Sequence, residues 1–171
     1  VTAFSRRRFF GLLALMLTPS ALIAQQDPGK AVVGQVVVTV YHATNGDPTR
    51  GGTNAVEAPA EVVERLRTEQ RLRFAHYRQL GSDTQPLFRT YENWAQPLKP
   101  SDEVLVRFEA GSRPVKGAIR LDLELWLSRK KTLKTDALLD GSRPLFVLGP
   151  EWRGGNLIIA IALAPKPKAG H

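Results

Sequence analysis

The chain has 171 residues, with 24 lysines and arginines against 16 acidic side chains and a formal net charge of +8. It contains no cysteine, which excludes disulfides, a thiol nucleophile and thiolate metal sites together. Arg6, Arg7 and Arg8 are the only charges among the first 24 residues, so the excess falls to +5 over the remaining 147, a length that suits one domain with a buried core.

The chain opens on Ser5-Arg6-Arg7-Arg8-Phe9-Phe10, continues through apolar residues to Leu17, and reaches a small residue at Ala24 after Thr18-Pro19-Ser20. A basic stretch, a short apolar stretch and a small residue at the cut form an export signal. The apolar run is far shorter than the roughly 20 residues that a spanning helix needs. Ser5, Arg6, Arg7, Phe9 and Phe10 resemble the twin-arginine type of signal, which implies that the cargo folds before it crosses the membrane. No acylatable cysteine follows, so a lipoprotein is not expected. Residues 1–24 are therefore read as the leader, residues 25–164 as one β-sandwich domain, and residues 165–171, with two prolines and two lysines, as a loose basic tail.

Residues 31–43 alternate valines with Gln35, Thr39 and Tyr41, the period of a half-buried strand. Residues 44–58 carry turn chemistry and form a loop. Pro59 can open a helix whose stripe is Val62, Val63 and Leu66. Residues 72–80 fit either a continued helix or a strand; the strand reading is adopted, closed by Gly81-Ser82-Asp83 and paired as a hairpin with residues 86–94. Val104, Val106 and Phe108 mark the next strand. Ile119, Leu121, Leu123, Leu125 and Leu127 mark the clearest one, with Arg120, Asp122, Glu124 and Trp126 on its other face. Residues 133–139 form a weaker strand, and residues 144–148 and 156–163 a closing hairpin joined across residues 149–155. About eight strands with one short helix after the first predict a mainly β fold, an antiparallel sandwich or barrel.

Leu72-Arg73-Phe74 with Tyr77-Arg78, the alternating strand 119–127, and the stretch from Gly149-Pro150 to Ile161 together resemble a group of bacterial exported β-rich proteins that have no assigned function. The resemblance covers most of the domain and implies its fold, with no activity attached.

The loop 45–52 has glycines but neither phosphate-binding spacing, and it lacks the alternating acids of a calcium loop. His42, His76 and His171 show no metal-pair spacing, and no serine sits in a nucleophile elbow. No cofactor is expected. Asp122 and Glu124, two apart on one strand face, have the spacing of a glycosidase pair, although Arg120 on that face makes an ordinary solvated strand the simpler reading. Trp126 stands on the polar face of its strand and needs cover or a ligand; cover by the helix around Val62 and Leu66 is the favoured expectation. Trp94 and Trp152 lie at strand ends and, with Trp126, are the candidate aromatic contacts. Arg71, Arg73, Arg78 and Arg89 would form a basic strip across the expected hairpin.

These readings converge on an exported, periplasmic or secreted, non-catalytic binding or assembly module of the cell envelope. Its expected partners are the translocation machinery, through the signal, and an envelope protein or an anionic or glycan ligand, with no nucleic acid. Two alternatives are a small carbohydrate-active hydrolase using Asp122 or Glu124 with His76, and a carbohydrate-binding module whose mark would be exposed, coplanar tryptophan rings.

Overall fold

The computed structural model describes residues 27–111, 115–141 and 143–164 of the chain. The expected leader and tail lie outside these residues. Nine strands form two antiparallel sheets, open and packed as a sandwich. One has five strands in the order β2-β3-β1-β9-β8, and the other has four in the order β4-β5-β6-β7.

In the five-stranded sheet β1 (Val32–Thr44) is central, flanked by β3 (His76–Phe88) and β9 (Gly155–Leu163). The two-residue β2 (Val56–Glu57) and β8 (Leu145–Trp152) are its edges. The outer face of this sheet is apolar only where it is covered, toward the end of β1 and the middle of β9, while nearer the start of β1 it carries exposed Gln35 and half-buried Thr39. Val36, Val38 and Val40 of β1, with Leu157, Ile159 and Ile161 of β9, point at the other sheet and join the main core. Tyr41 and Ala43, with Ile158 and Ala160, point away from it.

That outward face is closed by α1 (Ala60–Thr68) and a 3-10 turn (Gln70–Leu72). Pro59 starts the helix in place of a side-chain cap, Glu61 lies in its first turn, and Arg65 and Arg67 lie in its last, the polarity that suits the helix dipole. Leu66 is wholly buried against the sheet, with Val62 and Val63 beside it, and these residues with Leu72, Ala58 and Tyr77 make a second, smaller core. The Tyr77 hydroxyl ties down the chain after the helix, donating to the Leu72 carbonyl (2.9 Å) and accepting from the Phe74 amide (2.8 Å).

The four-stranded sheet contains β4 (Asn93–Ala95), β5 (Val104–Ala110), β6 (Ile119–Leu127) and β7 (Lys130–Leu139). Val104, Val106 and Phe108 face inward with Leu121, Leu123 and Leu125, as their alternation requires.

Besides the short β2 inside the loop expected over residues 44–58 and the earlier start of β7, the sequence reading differs from this arrangement in three places. The strand expected over residues 72–80 begins only at His76, because Leu72 is held in the turn beneath α1. Gly81-Ser82-Asp83 does not turn the chain: β3 continues through it to Phe88, paired with β1 on both sides of a one-residue register shift at Leu80, so no hairpin pairs 72–80 with 86–94. Gly81 is a strand glycine because the Pro97 carbonyl comes down where its side chain would be. Finally, the last hairpin closes through two residues, Arg153 and Gly154, both at positive φ (48° and 74°), and residues 149–152 belong to β8.

Candidate functional site

The two outer faces of the sandwich are unlike. The five-stranded sheet carries α1, while the outer face of the four-stranded sheet bears a field of polar and aromatic side chains. Register places them in rows. Trp94 is opposite Arg107, Arg107 opposite Glu124, and Glu124 opposite Lys134. The next row is Glu109, Asp122 and Asp136, three carboxylates directly opposed across three strands. Leu105 faces Trp126, and Arg120 faces Leu138.

The first row is internally neutralised. Glu124 is buried to 7% exposure and accepts from the Trp126 indole N–H (3.1 Å) and from Lys131 (3.3 Å), with Lys134 at 3.7 Å. Burial pushes its carboxyl up, but Trp126, Lys131 and Arg107 together outweigh this and hold it below the usual glutamate value. Arg107 donates to Glu92 (2.5 Å) and Glu109 (3.0 Å) and lies 3.9 Å from Asp122. The acidic row is less complete. Lys134 reaches Asp122 Oδ2 at 3.5 Å, whereas the buried Oδ1 has no hydrogen-bond partner among the described residues. Asp136 is exposed.

Trp94 and Trp126 are neighbours on this face, with ring centroids 5.9 Å apart and planes inclined by 56°. Trp94 is 38% exposed. The expectation that the helix covers Trp126 is overturned: α1 packs on the other sheet, and the indole is flanked by Trp94 and by the Lys131 ammonium, 5.6 Å from its centroid.

Trp152 is elsewhere, in a cleft of about 310 Å³ at one end of the sandwich. Three connections meet there: residues 51–55 after β1, Ser101 and Glu103 before β5, and the β8–β9 hairpin with Trp152 and Arg153. The Trp152 indole donates to Glu103 Oε1 (3.0 Å), and the Arg153 guanidinium lies over its ring, 4.3 Å from the centroid. Behind the cleft wall stands His42, wholly buried and edge-on to Trp152 at 5.6 Å. Neither of its ring nitrogens has a partner in hydrogen-bond geometry among the described residues. The imidazole is hemmed by two glycines: a Cβ on Gly51 would sit 3.3 Å from Nδ1 and one on Gly155 2.5 Å from Nε2. Burial lowers its pKa below the ordinary histidine value; the approach of the Trp152 backbone opposes this and the Arg153 charge adds to it.

The four arginines expected to share a strip are dispersed, because the hairpin that would align them does not form. Arg71, on the turn after α1, lines a groove of about 590 Å³ with Phe146 and Leu148 of β8. Arg73 donates to the Arg67 carbonyl (3.0 Å). Arg78, in β3, donates to the Ala55 carbonyl and lies 4.0 Å from Glu57. Arg89 follows the far end of β3, its amide bonded to the Ala31 carbonyl (2.9 Å). His76 opens β3 on the five-stranded sheet, so it does not join Asp122 and Glu124 on β6. Ser5, Arg6, Arg7, Phe9 and Phe10 of the signal lie outside the described residues. Sequence reasoning missed the cleft and the acidic row; the first needs the meeting of three distant loops, and the second needs the strand register.

Among the described residues, no group of three or more His, Cys, Asp or Glu side chains is placed to hold a metal ion, and no helix is long and apolar enough to cross a membrane. Comparison with protein-family models, curated proteins and solved structures finds no match to this chain.

Proposed function

We propose that this protein is an exported, non-catalytic assembly module of the cell envelope that docks a partner protein on the outer face of its four-stranded sheet. The observation that carries this reading is the row of Glu109, Asp122 and Asp136, in which Arg107 and Lys134 reach the first two while Asp136 stays exposed, beside the Trp94–Trp126 pair. Like charges directly opposed on a sheet are destabilising, and a buried carboxylate oxygen without a partner adds to that cost. A lysine or arginine of a partner, laid along the exposed carboxylates of the row, relieves the repulsion. Tryptophan and arginine are also the side chains that most often anchor protein interfaces. The inclination of the two rings supports a protein partner over a sugar, which stacks best on a flat, coplanar platform. Export rests on the basic-then-apolar leader pattern of residues 1–24.

The test is position-specific photocrosslinking in cells of the native host, with the crosslinking residue at Leu138 on the proposed face or at Glu64 on α1. A discrete envelope adduct from position 138 alone, lost in Trp94→Ala and Asp136→Lys and lost without the leader, is the expected result. Equal adducts from both positions, or an adduct indifferent to both substitutions, would refute the docking face.

A further inference from the structure

The cleft at the end of the sandwich is separate from the open face, and its chemistry points to a different kind of ligand. It is an open cleft whose volume is at the lower end of the range for small-molecule sites, and its lining is polar and apolar in about equal measure. Leu80, Leu98 and the Trp152 indole supply the apolar wall. The two charges are anchored on the same indole, Glu103 at its N–H edge and Arg153 over its face, and they form no ion pair with each other. Neither has another charged partner among the described residues within 4 Å.

Other features prepare the cationic side of the cleft. The Ala55 amide closes onto the Gly52 carbonyl (3.2 Å), and the Thr53 and Asn54 amides between them have no intramolecular acceptor among the described residues. Successive free amides of this kind favour an anion. The Arg50 guanidinium lies against the hairpin tip, where a Cβ on Gly154 would be 2.7 Å from it, and adds positive potential. Arg153 is set over the indole by its place at the tip of the two-residue hairpin turn. A purely anionic ligand would meet Glu103, and a purely cationic one would meet Arg153. A ligand bearing both charges a short distance apart satisfies both.

We infer that this cleft binds a free α-amino acid, its carboxylate on Arg153 and the 53–54 amides, its ammonium on Glu103, and its side chain against Leu80, Leu98 and Trp152. His42 stays behind the wall as a rigid backing for the indole and makes no contact with the ligand.

Isothermal titration of the purified full chain with the twenty free L-amino acids tests this without any protein partner, so its outcome is independent of the docking face. L-Leucine serves as the reference probe. Saturable one-to-one binding of leucine is expected, with N-acetyl-leucine, which lacks the ammonium, and leucinamide, which lacks the carboxylate, each weaker by about tenfold or more. In Arg153→Gln, leucine should fall to the level of leucinamide; in Glu103→Gln, whose amide oxygen still accepts from Trp152, it should fall to that of N-acetyl-leucine. Absence of saturable binding for all twenty amino acids overturns the inference. So does equal affinity for leucine and either blocked derivative in the unsubstituted protein, a comparison that does not depend on how well the variants fold.

Discussion

Replacing Leu66 by alanine measures whether the helix is an integral part of the sandwich. The side chain is wholly buried in a core of three alanines, Ala43, Ala58 and Ala160, with Tyr41, Leu72, Tyr77 and Ile158. Removing three carbons from such a site costs the lost transfer energy together with a cavity term, in total about 2.7–5 kcal/mol for leucine to alanine. The helix has only nine residues and can settle toward the sheet, so the lower part of that range applies, about 3 kcal/mol. For a domain of this size that is a fall of roughly 6–12 °C in Tm. Urea unfolding should be followed by tryptophan fluorescence and far-ultraviolet circular dichroism, since all three tryptophans lie away from α1. Coincident transitions, shifted together to lower urea with an unchanged slope, are expected, while exposed Glu64→Ala shifts neither. A loss under about 1 kcal/mol, or a dichroism transition that precedes the fluorescence one, would show that the helix is only loosely attached and that this reasoning is wrong.

Three further outcomes follow from particular contacts. Tyr77→Phe removes the hydroxyl that serves Leu72 and Phe74 and should cost about 1–3 kcal/mol by equilibrium unfolding, with added protease cleavage between residues 70 and 75; an unchanged midpoint would mean that water replaces it without loss. His42 has its pKa depressed in the folded state, so the unfolded chain binds the proton more readily: its contribution is complete above the unfolded value near 6.5 and is lost as pH falls through the lower folded one. Stability of the natural protein should therefore drop between about pH 7 and pH 5 more steeply than that of His42→Leu, and parallel curves would contradict the assignment. Gly155→Ala drives a methyl group into the Ala43 carbonyl and the imidazole together, and a loss of about 1–3 kcal/mol is expected; a Tm within a degree of the parent would show that the β9 terminus can move aside.

Most strands were legible because one face of each is buried and the other is not. The strand from Ile119 to Leu127 has the limits its alternation predicts. The failures have a common cause in tertiary contacts that no local pattern reports. Gly81-Ser82-Asp83 has turn composition, yet β1 pairs with it on one side and the Pro97 carbonyl presses on the glycine, so the chain stays extended. Leu72-Arg73-Phe74 has strand composition, yet Leu72 is held in the turn after α1 by the second core and the Tyr77 hydroxyl, and the next two residues pair with no strand. Trp126 was recognised as needing company, but only the pairing of β4 with β5 brings Trp94 to it. The cleft was invisible for a simpler reason: Asn54, Glu103 and Arg153 are each unremarkable in their own segments.

The ends of the two sheets have a bearing on how this chain behaves when crowded. Each sheet has one edge formed by a very short strand, the two residues of β2 and the three of β4, and among the described residues β7 and β8 are the long strands at the opposite edges. Along β7 stand the exposed Lys130, Lys131 and Lys134, whose mutual repulsion discourages a second copy from adding a strand. Along β8 the register breaks between Leu148 and Glu151, where Pro150 offers no amide proton. Self-association at high concentration is thus governed by a few edge residues, so neutralising Lys130 or replacing the proline by a β-branched residue is expected to favour strand-to-strand addition between copies.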